Sequence, residues 1–195
     1  LQLELWATWQ ANQREVTLNP KGGTGGTPSV MATYDSPMPT ATMPTRLGYK
    51  FVGYFDTPEQ TGGTQYYTET GASERAWDKA SATTLYARWQ GNPYIVTLNP
   101  NGGSGGTAQV TAIYGSDMPT ANMPTREGFT FMGYYDVKGE TGGTEYYTEA
   151  GASATTWDKA QDFALFARWQ GNPITLTVRY YQFNNGLLTA SAPNL

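Results

Sequence analysis

The chain contains no cysteine and no histidine among its 195 residues. Without cysteine it can form neither a disulfide, nor an iron–sulfur cluster, nor a thiolate zinc site. Without histidine it lacks the commonest general base and the commonest ligand of transition metals, and a Ser-His-Asp triad is excluded. We therefore expect a protein that is not an enzyme, with no cofactor and no metal site.

Basic residues are also scarce. Lys and Arg total 12 against 16 Asp and Glu, which gives a net charge of −4. Because no basic stripe is available to neutralise phosphates, we do not expect nucleic-acid binding. No run approaches the roughly 18 apolar residues of a membrane-spanning helix. The first residues include neither an initiator Met nor a signal peptide, and we interpret the start as a cut inside a longer protein.

Internal repetition is the strongest feature that the sequence does contain. The chain matches itself without gaps at an offset of 80 residues, and more than half of the paired positions are identical. The matching pairs of segments include 16–20 with 96–100, 43–46 with 123–126, 77–80 with 157–160 and 85–89 with 165–169. Repetition at a long, fixed period is typical of arrays of modules.

The same offset divides the whole chain. We predict that residues 1–9 are the last strand of a preceding repeat and that residues 10–90 form repeat module 1. Residues 91–170 form repeat module 2, and residues 171–195 form the divergent strand or hairpin of a partial repeat. A module of about 80 residues is just large enough to hold its own core.

Each module is predicted to be rich in β structure. Alternating β-branched and aromatic segments are separated by Gly-rich turns, and no segment shows a helical period over three turns. Helical turns are expected at most in 118–126 and 157–160. Gly133 lies inside an aromatic strand and indicates a bulge or a close backbone approach. Trp89 and Trp169, in the closing strands, are predicted core residues.

The ordered landmarks resemble a known family. Leu-Asn-Pro-Asn-Gly-Gly, Met-Pro-Thr-Arg-Glu-Gly-Phe, Thr-Gly-Gly-Thr and Leu-Phe-Ala-Arg-Trp follow one another in module 2. This set is similar to the Listeria–Bacteroides repeat, related to the B repeat of internalins. The usual Gly-Trp-Tyr of the family is Gly-Tyr-Phe at 53–55 and Gly-Tyr-Tyr at 133–135.

The resemblance implies a fold class and a location. The implied fold is β-rich α+β, with tandem small β-grasp (ubiquitin-like) modules and little helix. It also implies a secreted or cell-surface bacterial protein in which such modules act as spacers or in adhesion. The family carries no agreed catalytic residues, so none is transferred to this chain.

Aromatic residues are the candidate binding surface. Consecutive tyrosines in a strand point to opposite faces, so one ring of each pair is expected to be exposed. Exposed Tyr and Trp rings stack on sugars or contact proteins, and the alternative is that they complete the small cores. The candidate residues are Tyr66, Tyr67, Tyr146, Tyr147, Trp77 and Trp157. They support an alternative function as a carbohydrate- or protein-binding module, whose partner would be a host or cell-surface protein or glycan.

Three other kinds of site are disfavoured by the sequence. The Gly-rich segments 21–27 and 101–107 join two strands and lack the Gly-Lys-Ser/Thr of a phosphate-binding loop, so we interpret them as turns. Acidic residues such as Asp56 and Glu59 are expected to be solvated rather than a glycosidase pair, since Glu59 becomes Gly139 in module 2. No EF-hand loop is present.

The two ends of the chain suggest self-association. Residues 1–9 match a closing strand and residues 174–178 an opening strand, and an unpaired strand edge recruits other chains. Because the first and last strands of a β-grasp fold lie side by side, end-to-end association through 1–9 and 174–178 is predicted.

Overall fold

The computed structural model describes residues 3–178, 180–184 and 187–191, with side chains through residue 178. The described residues form strands, turns, bends and irregular segments, and none of them is helical. The strands of module 1 are β1 (Gln13–Asn19), β2 (Ser29–Thr33), β3 (Tyr49–Phe55), β4 (Gln65–Tyr67) and β5 (Thr83–Gly91). Those of module 2 are β6 (Pro93–Asn99), β7 (Gln109–Ile113), β8 (Phe129–Tyr135), β9 (Glu145–Tyr147) and β10 (Phe163–Gly171).

Each module is one mixed five-stranded sheet. The order is β2-β1-β5-β3-β4 in module 1 and β7-β6-β10-β8-β9 in module 2. The first and last strands of a module run parallel, with Leu18 beside Leu85 and Leu98 beside Leu165, whereas the other pairs are antiparallel. A further antiparallel hairpin joins β11 (Tyr180–Asn184) to β12 (Leu187–Ser191).

The predicted α+β fold class is wrong. A β-grasp module packs a helix on its sheet, but the segments that join β2 to β3 and β7 to β8 are not helical, nor is 157–160. Proline explains part of this difference, because Pro37, Pro39 and Pro44 stand within ten residues of one another. Each removes a backbone donor and disfavours a helix around it. The fold is all-β.

Each sheet has a core of its own. In module 1, alternate residues such as Val16, Leu18 and Leu85 are buried on one face, as the period of two in a strand requires. Module 2 repeats this pattern with a separate cluster of buried residues. Trp89 lies in the core as predicted, whereas Trp169 is partly buried and packs against it. Each module has a core of its own because the pattern of apolar residues is repeated in both.

The predicted irregularity at Gly133 is confirmed. The pairing of β8 with β10 shifts register between Arg168 and Trp169, opposite Gly133. Gly133 has a φ of 122°, and a Cβ added there would lie under 3.0 Å from the carbonyl oxygen of Tyr147. Gly53 repeats the arrangement in module 1 with a φ of 151°. Both the bulge and the close approach require glycine at this position.

The described segments before β1 and after β10, residues 3–12 and 172–178, are exposed. Residues 3–12 and 172–178 form no strand, and Trp9 and Ile174 are 93% and 92% exposed. Within the described part of the chain, no helix has the length and apolar character needed to cross a membrane. The end-to-end association through 1–9 and 174–178 stays a prediction.

Candidate functional site

The six aromatic candidates lie in the cores. Their side chains all have a relative exposure of 0%. The expectation that one ring of each tyrosine pair is exposed is therefore wrong. Tyr66 packs on Trp77, with ring centroids 5.1 Å apart, and Tyr67 on Tyr54 at 6.1 Å. In module 2, Tyr146 packs on Trp157 at 5.2 Å and Tyr147 on Tyr134 at 6.1 Å.

Both faces of the short β4 strand are covered, which is why alternation does not expose a ring. The Tyr67 hydroxyl donates to the carbonyl of Pro39, in the chain that crosses one face. The Tyr66 hydroxyl donates to Asp78 Oδ1 on the other side. The segment around Pro39 and the segment around Asp78, before β5, thus cover the two faces of β4. These rings stabilise the modules and form no exposed aromatic patch.

A polar network surrounds the hydroxyl groups of Tyr66 and Tyr146. In module 2, Lys159 Nζ lies 2.9 Å from Asp136 Oδ2, and Asp136 Oδ1 accepts a hydrogen bond of 2.7 Å from the Thr144 N–H. Burial raises the pKa of Tyr146 to about 12, and its hydrogen bond to Asp158 acts in the same direction. The hydrogen bond with Asp136 is the main cause that raises the pKa of Lys159.

The network links segments that are distant in the sequence, since Lys159 pairs with Asp136. Burial by itself would raise the pKa of Asp136, but Lys159 and the Thr144 N–H outweigh burial and lower it. A lowered carboxyl pKa and a raised amine pKa both favour the charged forms, so both shifts favour the ion pair between Asp136 and Lys159. Module 1 has the same ion pair between Lys79 and Asp56, at 3.1 Å.

Acid should weaken both modules through these carboxylates. The pKa of Asp136 is lower folded than unfolded, so its contribution to stability is complete above the unfolded value of about 3.9. That contribution is lost as pH falls through the folded pKa. We expect the urea midpoint of unfolding to drop between pH 4.5 and 2.5, and to drop less in Asp136→Asn.

Asp117→Asn is the matched control for this measurement, since Asp117 is exposed in the segment between β7 and β8. The acid-induced drop in the urea midpoint of Asp117→Asn should equal that of the unchanged protein. If Asp136→Asn also shows the full drop, then Asp136 does not carry the acid sensitivity.

The Gly-rich segments form turns, and the acidic residues Asp56 and Glu59 are an ion-paired and an exposed side chain. Asn99 Oδ1 accepts a hydrogen bond from the Asn101 N–H in one Gly-rich segment, and Asn19 and Lys21 repeat it in the other. Such side-chain caps are typical of tight turns. Glu59 is exposed, while Asp56 pairs with Lys79. Within the described residues, no group of three or more acidic side chains has the geometry of a metal site.

The joint between the modules is the site that sequence reasoning described least. The sequence predicts a boundary between residues 90 and 91, but β5 continues to Gly91 and β6 begins at Pro93. Only Asn92 lies between the two sheets. Its N–H donates to the Gly48 carbonyl of module 1 at 2.9 Å, and its carbonyl accepts from the Tyr114 N–H of module 2 at 3.0 Å. Both backbone groups of the linker are thus fixed.

Side chains close the joint around Asn92. The Tyr114 ring meets the Tyr49 ring edge to face, with centroids 5.1 Å apart, and lies against the Gly48 backbone. Gly48 is buried, and a Cβ there would lie under 3.0 Å from the Tyr114 ring. A Cβ on Gly91 would lie under 3.0 Å from the Tyr114 carbonyl oxygen, which belongs to the backbone and cannot turn aside.

One signal for the joint was present in the sequence. Gly48, before β3, recurs as Gly128 before β8, and Gly91, at the repeat boundary, recurs as Gly171. Their role was hidden because a glycine beside a strand end usually marks a turn. Contact across a module boundary depends on how the sheets meet, which neither module encodes alone.

Comparison with known proteins agrees with this repeat organisation. The model of the Listeria-Bacteroides repeat domain matches residues 15–88 and again residues 94–168. No solved structure gives a significant match to this chain.

Three relatives match this chain over a small part of their own, longer chains. A protein of Evansella cellulosilytica named "Putative membrane protein" is 29% identical over 184 residues, covering 94% of this chain and 24% of the relative. A second, named "Putative Gly-rich membrane protein", is 28% identical over 173 residues, covering 89% and 18%. Internalin H of Listeria monocytogenes is 39% identical over 107 residues, covering 54% and 17%.

The chain therefore spans about a quarter or less of the length of these relatives. Two consecutive family matches, together with two equivalent sheets, show that this chain belongs to the Listeria-Bacteroides repeat family and carries two tandem copies of its domain.

Proposed function

We propose that this segment is a spacer of an exported bacterial cell-surface protein, which holds another part of that protein at a distance from its anchor. The names of the relatives, two membrane proteins and an internalin, support a place at the cell surface. The observation that carries the proposal is the joint, in which one linker residue bonds to both modules.

A joint of this kind limits bending in two ways. Asn92 cannot rotate without breaking its hydrogen bond to Gly48 or that to Tyr114. The edge-to-face contact of Tyr49 and Tyr114 adds about 0.5–1.5 kcal/mol beyond the area that it buries. A flexible linker would need several residues without fixed backbone groups. Two modules held in this manner transmit force and keep their spacing.

Catalysis has no part in this proposal, and adhesion is not required by it. The binding-module alternative depended on exposed Tyr and Trp rings, and the six candidates are in the cores.

The order of the joint can be measured directly, because the chain has no cysteine of its own. Thr17 and Thr97 occupy equivalent exposed positions in β1 and β6, and cysteines there accept one spin label in each module. We expect double electron–electron resonance to give a narrow distribution of distances between the labels. Gly91→Ala should broaden it strongly, because the new Cβ meets the Tyr114 carbonyl oxygen.

Gly171→Ala is the matched control. A Cβ added at Gly171 would lie 3.8 Å from its nearest neighbour, an atom of the Phe129 ring, which is an ordinary van der Waals contact. It should leave the distribution narrow. Thermal unfolding of the modules should be nearly the same in both variants. A broad distribution in the unchanged protein would refute the spacer proposal.

A further inference from the structure

An open groove lies at the joint between the two modules and has a volume of about 510 Å³. We call it the joint groove, and its side-chain lining consists of Thr24, Thr45, Arg46, Leu47, Tyr49 and Tyr114. All of these residues except Tyr114 belong to module 1. Because Tyr114 belongs to module 2, the groove is complete only where two modules meet.

One cation in the joint groove, the Arg46 guanidinium, has no hydrogen-bond or ion-pair partner among the described residues. It stacks on the Tyr49 ring, with its central carbon 4.1 Å from the ring centroid. The other arginines of module 1 are each bonded: Arg14 donates to the Ala80 carbonyl, Arg75 to Asp78 and Arg88 to the Gly62 carbonyl. Stacking thus orients Arg46, while its hydrogen-bond donors stay available to a ligand.

The positive charge of the joint groove is not neutralised by its lining, which contains no carboxylate. A Cβ placed on Gly22 would lie 3.7 Å from the central carbon of the Arg46 guanidinium, so the turn that contains Gly22 lies against Arg46. Lys21 is exposed in the same turn and adds a second positive charge. These surroundings favour an anion.

The equivalent surface of module 2 differs in charge. Arg126 stacks on Phe129 at 3.8 Å, as Arg46 stacks on its tyrosine. Glu127 follows Arg126, however, where the exposed Leu47 follows Arg46. A carboxylate next to the arginine repels an anion, so the site belongs to module 1 and its joint.

The chemistry of the lining selects among anions. A planar guanidinium binds a carboxylate through two parallel hydrogen bonds. Thr24 and Thr45 add hydroxyl groups, and Tyr49 and Tyr114 add rings with a polar end. Leu47 adds an exposed apolar side chain beside them. An acidic sugar presents the matching set of groups, because it combines a carboxylate, several hydroxyls and an apolar ring face.

Two other kinds of occupant fit less well. An extended peptide needs unpaired backbone groups, but the N–H and the carbonyl of Thr24 are bonded to the carbonyl and the N–H of Thr45, at 2.8 and 3.0 Å. A polyphosphate needs a row of cations, and the lining supplies one arginine. One carboxylate on a sugar matches one guanidinium.

We propose that the joint groove binds an acidic saccharide, whose carboxylate pairs with Arg46 and whose ring contacts Leu47 and the two tyrosines. This binding goes beyond the spacer function and does not depend on it, because it needs the groove but not the transmission of force. Tyr114 makes the site a property of the joined modules rather than of one module.

Backbone amide NMR of the full chain tests the site, with a tetrasaccharide of alternating glucuronate and N-acetylglucosamine as the probe. The probe should shift the amide signals of Arg46, Tyr49 and Tyr114 and leave those of Arg126 and Phe129 unchanged. A tetrasaccharide of N-acetylglucosamine alone should cause no shifts at these residues. Equal shifts with the neutral sugar, or shifts confined to other residues, overturn the proposal.

Variants test the role of charge. Arg46→Gln should raise the dissociation constant of the acidic tetrasaccharide about tenfold or more, because it removes a charge-assisted pair. Leu47→Glu should weaken binding similarly, since it introduces the carboxylate of module 2 at a side chain that is 79% exposed. Arg126→Gln is the matched control and should bind like the unchanged protein. Full affinity in Arg46→Gln or in Leu47→Glu overturns the proposal.

Acetate and inorganic phosphate distinguish a saccharide site from a general anion site. Neither should reproduce the shifts at the concentration at which the acidic tetrasaccharide saturates the groove. If either does, the groove binds anions in general and the saccharide assignment falls. Spin labels at positions 17 and 97 keep the two ideas apart, because a narrow distance distribution without saccharide binding removes only the site, whereas a broad one removes the spacer function.

Discussion

Replacement of Trp157 by alanine is expected to lower the free energy of unfolding of module 2 by about 3–5 kcal/mol, the usual cost of truncating a buried tryptophan. Trp157 has no exposed surface and packs against Tyr146 and Phe163, with centroids at 5.2 and 6.5 Å. Its Nε1 is buried without a hydrogen-bond partner. The substitution therefore removes packing and leaves no polar group newly unpaired.

Hydrogen exchange measured by mass spectrometry in increasing urea can follow the two modules separately. Peptides from module 2 should lose their protection at lower urea in Trp157→Ala, while peptides from module 1 keep theirs. The reciprocal variant Trp77→Ala should reverse this pattern, because Trp77 has the same burial in module 1. A loss under about 1 kcal/mol would place Trp157 outside the core.

Replacement of Gly133 by alanine is expected to cost module 2 at least about 2 kcal/mol. The φ of 122° is strained for any residue with a side chain, which costs about 1–3 kcal/mol. The Cβ would also press on the Tyr147 carbonyl oxygen of the neighbouring strand, and overpacking of this kind costs about 1–3 kcal/mol more. Urea unfolding of module 2 measures the total.

Gly142→Ala separates the two contributions. Gly142 also has a positive φ, of 77°, but no atom lies within 4 Å of its added Cβ. It should cost only the conformational part, about 1–2 kcal/mol. Equal losses for Gly133→Ala and Gly142→Ala would show that the approach of β9 to Gly133 is not close enough to exclude a methyl group.

Several features of the chain could be predicted because they depend on local pattern. Alternation of apolar residues in 94–98 gives a strand, and Gly133 inside an aromatic strand gives a bulge. The family could be identified because its landmarks are short segments in a fixed order. Each of these inferences uses residues that are close together in the chain.

The two errors have different causes. Helix was expected in the fold because the family resemblance implied it, while the prolines of the connecting segments argued against it locally. Tyr66 and Tyr67 were expected to differ in exposure because alternation describes an isolated strand. The carbonyl of Pro39 and the carboxylate of Asp78 come from distant segments and cover both faces of β4.

By itself, the sequence determined that there are two equivalent β modules and that histidine and cysteine chemistry is excluded. These properties follow from composition and periodicity, which need no coordinates. Only the tertiary structure decided which tyrosines are buried and how the modules meet. Burial and contact across a boundary depend on the positions of segments far apart in the chain, and Tyr49 and Tyr114, 65 residues apart, touch only once both sheets have folded.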